Sequence, residues 1–298
     1  MEIRVLRYFL TVVNVESINK AAEILHITQP TLSRQLAQLE GEVGVKLFER
    51  GARRISLTNE GLLLKRRAEE ILSLVDRTAQ ELMEQDELVN GRIVIGSGEL
   101  TAVRILTEIM DSFHKKYPLV SYDLFTANAD LVKDQMEKGL IDVGILLEPV
   151  DIEKYDFIRL TQKERWVVAM RADDPLAQKE SICAEDLKNK QLILPRRLNV
   201  QNELRSWFGD HIQNEQILAT SNLSTNGTML VQQGLGYSIV IEGSLPFLNQ
   251  EQIVCRPLYP DLTASCVFAW KRQQPFSLAA TKFIQHIQEF LSMENEKT

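Results

Sequence analysis

Residues 17–39 read SINKAAEILHITQPTLSRQLAQL, and their spacing predicts two helices joined by a tight turn. Ser17 stands where a short hydroxyl side chain caps a helix, and Ala21, Ala22 and Leu25 follow on one face. His26-Ile27-Thr28 makes the turn. Thr28 then stands at a second N-cap position, with Pro30 in the first turn, where a missing N–H is tolerated. Leu32, Leu36 and Leu39 recur at i, i+4 and i+7 and bury one stripe of this helix. At about 100° per residue, Thr31, Arg34 and Gln38 turn away from that stripe, with Gln29 and Ser33 on its flank. Amide, hydroxyl and guanidinium groups on one face match the edges of bases: Gln suits adenine, Arg suits guanine, and Ser or Thr suits either. Two helices with a polar-faced second member form the helix-turn-helix layout.

Upstream, Leu6, Phe9, Leu10 and Val13 mark an amphipathic helix. Downstream, two short β-prone runs, VKLFE at 45–49 and ISL at 55–57, flank Arg50-Gly51-Ala52-Arg53-Arg54. A hairpin here is a wing whose arginines face phosphates or a minor groove. Changing Arg53 or Arg54 is then expected to weaken binding to all sequences alike.

The ungapped run at residues 6–61 resembles the LysR-type transcriptional regulators. The phrases AAEILHITQPTLSRQLAQLE and GVKLFER, followed by LTNEG, carry the likeness. It implies a winged helix-turn-helix at 1–58, a linker and dimerisation helix at 59–90, and an effector-binding domain at 91–298. It also implies double-stranded promoter DNA as partner, a homodimer or homotetramer, contact with RNA polymerase, and regulation of nearby genes. The residues expected on DNA are Gln29, Pro30, Thr31, Ser33, Arg34, Gln38, Arg50, Arg53 and Arg54.

From Thr58 onward a proline-free segment runs to about residue 87. Leu64, Ala68, Ile71, Val75, Thr78 and Leu82 alternate spacings of four and three, a heptad-like seam that needs cover. The cover is either the chain's own domain or a second subunit. The resemblance implies the second, with Leu64, Ala68, Ile71, Val75 and Leu82 at the dimer seam.

Beyond Asn90-Gly91, strand and helix patterns alternate. Strand candidates are 92–96, 120–125, 141–147, 165–170, 191–194, 237–241 and 265–270; helices are expected at 131–138, 201–208, 224–233 and 277–291. Alternation argues for an α/β domain with parallel sheets covered on both faces. The resemblance implies two periplasmic-binding-protein-like lobes, 91–161 with 266–298 and 162–265, with the last helix rejoining the first lobe. In such folds ligands sit beyond the carboxyl ends of strands. The loops there nominate Ser97, Gly98, Glu99, Thr101, Asn128, Arg196, Asn199 and Asn222 for a small-molecule effector. Backbone N–H groups at 97–101 suit a carboxylate, whereas Glu99 itself suits an amine, so the charge of the effector stays open.

Composition bounds the alternatives. The 298 residues are 44% hydrophobic and 25% charged, ordinary for a globular chain of about two domains. The net charge of −7 hides a gradient: residues 1–67 hold eleven Lys/Arg against seven Asp/Glu. A basic head on an acidic body suits a chain of which one domain meets a polyanion. No apolar run approaches the ~20 residues of a membrane span, no secretory leader opens the chain, and three scattered cysteines suit a reducing compartment; a cytoplasmic location is expected. Gly96 and Gly98 lack the third glycine of a dinucleotide loop, and the four histidines are dispersed, so neither cofactor nor metal is expected. A solute-binding module and an α/β enzyme are the competing readings, and no catalytic motif supports the latter.

Overall fold

The computed structural model describes residues 1–49, 56–83, 89–246, 249 and 251–295, in two compact units, Met1–Met83 and Glu84–Thr298. In the first unit, α1 (Ile3–Val15) precedes α2 (Ile18–Ile24) and α3 (Gln29–Val43). Ser17 caps α2 by accepting the Lys20 N–H at 3.4 Å. Thr28 holds the N-cap position of α3 without capping it: its Oγ1 lies 2.8 Å from Thr31 Oγ1. Val5, Leu6, Phe9, Val12, Ala21 and the three leucines of α3 close the core between these helices. Among the described residues the wing is paired by an antiparallel bridge, Phe48 to Leu57, with the Glu49 N–H donating to the Ser56 carbonyl.

α4 (Asn59–Met83) starts at Thr58, whose Oγ1 accepts the Gly61 N–H at 3.0 Å and donates to the Lys46 carbonyl at 2.7 Å. One hydroxyl therefore caps the helix and anchors the wing. Gly61 permits the close approach, since a Cβ there would lie 2.2 Å from the Leu47 carbonyl oxygen. The expected dimer seam needs correction at this helix. Leu64, Ala68 and Leu72 pack into the winged-helix core, and Ala68 is 0% exposed. Ile71, of the expected seam, stays exposed at the edge of the buried stripe, and Leu63 and Leu74 are exposed as well, about 130° around the helix from that stripe. Val75 is half-buried, and the side chain of Leu82 lies outside the described residues. The sequence places both stripes on one helix, and the first of them is covered by its own domain.

The second unit runs β1 (Gly91–Ser97), α5 (Val103–Lys116), β2 (Val120–Thr126), α6 (Ala129–Glu137), β3 (Val143–Leu147) and β4 (Tyr155–Arg171). It continues with β5 (Leu192–Pro195), α7 (Leu198–Phe208), β6 (Ile217–Ser221), α8 (Ser224–Gln232) and β7 (Tyr237–Ile241). β8 (Ile253–Pro257), β9 (Thr263–Lys271) and α9 (Leu278–Asn295) complete it. The strand order is β2-β1-β3-β9-β4-β7-β5-β6, with β8 on β4.

The sheets are mixed rather than purely parallel. β1 runs parallel to β2 and β3, and β5 runs parallel to β6 and β7, but β4 and β9 oppose each other and their other neighbours. These two long strands carry the chain out of one half of the sheet and back, which forces the antiparallel pairs. Their register shifts between Arg159 and Lys163, dividing the unit into two lobes. α5 and α9 cover one face of the first lobe, where the Phe113 and Phe283 rings meet edge-on at 5.1 Å. α6 closes the opposite face with Val132 and Met136. In the second lobe α7 contributes Val200, Leu204 and Phe208, and α8 contributes Val231.

Candidate functional site

Two surfaces carry the residues singled out above. On α3, Leu32, Leu36 and Leu39 are buried, which turns Gln29, Pro30, Arg34 and Gln38 outward. Thr31 and Ser33 are half-buried beside them. Gln29 Nε2 donates to Ser33 Oγ at 2.8 Å, and Gln38 Nε2 donates to Glu42 at 3.2 Å. Both amides are therefore pre-aligned along the helix by partners that a base edge can replace. Arg34 is exposed and holds no hydrogen bond or ion pair among the described residues. Arg50, Arg53 and Arg54 of the wing lie outside the described residues.

Sequence reasoning missed Glu40. Its carboxylate accepts the backbone N–H groups of Leu47 at 2.8 Å and Phe48 at 3.4 Å, and pairs with Lys46 at 2.7 Å. Burial pushes this carboxyl up, but the lysine and the two amides outweigh it and hold it below its ordinary range. The residue ties the base of the wing to α3. A glutamate five residues before a β-prone run was the only trace of this in the sequence.

The second surface is a cavity of about 80 Å³ between the lobes of the second unit, room for several water-sized groups. It lies at the carboxyl ends of the parallel strands in both lobes, where such folds leave a crevice. Leu100, Ile145, Trp166, Val200, Ile239 and Ile241 make its walls largely apolar. Of the nominated residues, Gly98, Glu99, Asn128, Arg196 and Asn222 line it. Asn128 also caps α6, accepting the Leu131 N–H at 3.0 Å. Arg196 and Asn222 are exposed at the rim.

Ser97, Thr101 and Asn199 are not among the lining residues. Ser97 ends β1 and accepts the Ala127 N–H through its carbonyl, while Asn199 sits in the first turn of α7 with its side chain in solvent. Thr101 has a different occupation. Its N–H and that of Ala102 donate to the buried Glu164 carboxylate at 3.0 and 2.8 Å. The amides expected to receive an outside carboxylate at the start of α5 thus already hold an internal one.

Glu99 and Arg197 also reach across the cleft. Glu99, from the first lobe, accepts the N–H groups of Ser224 at 2.6 Å and Thr225 at 3.0 Å, and also the Thr225 hydroxyl, at the start of α8. Arg197, from the second, is 6% exposed and donates to the carbonyls of Leu147 at 2.9 Å and Pro149 at 2.8 Å. It also pairs with Asp130 at 3.0 Å. Sequence reasoning takes Arg197 only as a loop arginine beside Arg196 that could bind an anion; its bridging role stays hidden because its partners lie 48 to 67 residues away.

Residues 3–62 match the family described as bacterial regulatory helix-turn-helix protein, lysR family, and residues 86–292 match the LysR substrate binding domain. The chain belongs to the LysR family of bacterial transcriptional regulators, with a helix-turn-helix DNA-binding domain and an effector-binding domain. Among its relatives is the Hca operon transcriptional activator HcaR of Escherichia coli, 29% identical over 98% of this chain and 99% of that protein. AlsR of Bacillus subtilis, another HTH-type transcriptional regulator, is 33% identical over 91% of each chain. Full-length CbnR in complex with its target DNA shares the fold, with a TM-score of 0.72 and 22% identity over 97% of this chain and all of that one. Full-length BenM gives a TM-score of 0.55 at 26% identity, covering all of this chain and 97% of that one. Among the described residues no helix is long and apolar enough to cross a membrane.

Proposed function

We propose that α3 reads an operator in the major groove through Gln29, Pro30, Thr31, Ser33, Arg34 and Gln38, while the wing arginines Arg50, Arg53 and Arg54 neutralise phosphates. The observation that carries this reading is the Arg34 guanidinium, without a partner among the described residues, beside two aligned amides on a helix whose opposite face buries Leu32, Leu36 and Leu39. Base edges offer the complementary acceptors and donors there. CbnR, which has the same fold, was crystallised on its target DNA, and that complex supports the same use of the fold here.

The interlobe cavity is the effector site in this reading, with Gly98, Glu99, Asn128, Arg196 and Asn222 around a small, mostly apolar molecule. Ser97, Thr101 and Asn199 act on it only through the loops they belong to. Two copies pair through the exposed stripe of α4, because a two-fold assembly reads two half-sites about one helical turn apart. The regulator works in the cytoplasm, with RNA polymerase as its further partner, and without a catalytic step of its own.

A footprint on the DNA flanking its gene tests the first part: a protected, dyad-symmetric site is expected. Binding blind to sequence refutes it. A metabolite screen that moves the footprint tests the second, since an effector must bind two states with different affinity to shift them.

A further inference from the structure

The cavity brings its own anion. We propose that Glu99 is an intramolecular ligand: its carboxylate latches the lobes by filling the start of α8, and so bars an effector carboxylate from that end. The inference rests on the interlobe cavity being the effector site.

Three donors converge on this one side chain, two backbone N–H groups and the Thr225 hydroxyl, and all three belong to the opposite lobe. Glu99 departs from a loop more than 120 residues away, so the contact is tertiary and not helix capping within a segment. The start of a helix is where an anion is most stable, because unpaired N–H groups and the aligned peptide dipoles point there. A free ligand carboxylate could take the same donors only by expelling Glu99. If it stayed nearby, two like charges would share a partly apolar pocket. The start of α5 is closed in the same way by Glu164, so the starts of α5 and α8 each carry a resident carboxylate. The remaining polar groups at the rim, Arg196 and Asn222, lie on the second lobe outside this contact. The effector class that fits is a compact, mostly apolar molecule that is uncharged or cationic at the α8 end.

The latch predicts chemical rescue. In full-length Glu99→Ala the donors of α8 lose their partner and a space the size of a small carboxylate opens beside them. Sodium acetate is expected to raise the melting temperature of this variant well above the effect of sodium chloride at equal ionic strength, and to leave the wild type where sodium chloride leaves it. Glu99→Gln keeps the space filled and supplies a folded comparison, so it should show no acetate response. Ser224→Pro removes one of the donors and preserves the helix: Ser224 is its first residue, and Leu223 before it is extended at φ −131° and ψ 151°, as a residue preceding proline requires. Added to Glu99→Ala, it should blunt the rescue by acetate.

An equal acetate effect on wild type and Glu99→Ala overturns the proposal, because the donors were then never occupied. No specific effect on Glu99→Ala overturns it too, because the donors then form no anion site. Both results are independent of whether the metabolite screen finds an effector, so the cleft assignment and the latch fail separately.

Discussion

Arg197 of the second lobe reaches Asp130 of the first at 3.0 Å, and the two partners occupy opposite surroundings: 6% of the guanidinium side chain is exposed against 61% of the aspartate. Arg197 is therefore the costly group to disturb. Truncation to alanine leaves the carbonyls of Leu147 and Pro149 without this donor inside the protein, whereas an exposed carboxylate rehydrates.

Loss of a buried multi-bonded group costs about 2–4 kcal/mol, and loss of an exposed half-pair less than about 1 kcal/mol. Arg197→Ala should lower the urea midpoint of the second unit accordingly, and Asp130→Asn should barely move it. Arg197→Lys should resemble alanine more than wild type, since an ammonium group cannot reach three divergent acceptors with fork geometry. Equal losses for Arg197→Ala and Asp130→Asn would contradict this division.

Such cleft contacts are the least legible part of the sequence, for a physical reason. α1 to α3 announce themselves through local spacing, caps and a proline, all within one or two turns, and even there Thr28 occupies a cap position without making the side-chain bond. Six of the seven strand candidates appear because each is mostly a run of buried apolar residues, whereas 120–125 buries only Val120. β6 and β8 escape that pattern: ILATS is only half-buried, and IVCRP ends in proline. β4 begins ten residues before its sequence candidate because its first half, YDFIRL, mixes charges into a strand that shares β9 with the rest. Glu99 and Arg197 take partners from distant segments, and no window of sequence contains both ends of either contact. The sequence marks Glu99 as an effector-site candidate suited to an amine, and its role as a bridge follows from topology.

Glu40 links pH to the wing. Its carboxyl lies below the ordinary value of 4.5 in the folded chain, so the folded state holds fewer protons than the unfolded one near that pH. Its contribution is then fully present above about pH 5 and is lost as pH falls through the folded value. Glu40→Gln should flatten the acid limb of the stability profile of the first unit below about pH 5. At neutral pH it should cost about 1–2 kcal/mol, the scale of charge-assisted bonds to backbone N–H groups. Circular dichroism across about pH 3–7 checks both, and an unchanged acid limb would separate Glu40 from the stability of the wing.

On α3, Arg34 and Gln29 should differ from their neighbours in what they lose. Arg34→Ala should weaken operator binding by about 1–3 kcal/mol and relax the preference at one base pair in each half-site. Gln29→Ala should act at a second position, and its partner Ser33 loses the alignment at 2.8 Å that holds the amide along the helix. Neither should change binding to random duplex by as much. Competition titrations against single-base operator variants give the comparison. A uniform loss across all sequences would move both residues to the phosphate backbone.

The two stripes of α4 separate folding from assembly. Ala68 is fully buried and Leu72 nearly so, both against the chain's own helices. Ala68→Asp therefore places an unpaired carboxylate in a packed core and should unfold the first unit outright. Ile71 and Leu74 are 36% and 44% exposed, so Ile71→Asp or Leu74→Asp meets solvent in a single chain and should leave its melting unchanged. In a coiled pair the same changes bury charge at the seam. The expected result is a folded monomer by sedimentation, with operator affinity reduced because one half-site is then read at a time. An unchanged mass for both exposed-stripe variants would assign the pairing to another surface, while loss of fold in either would show that this stripe, too, is part of the core.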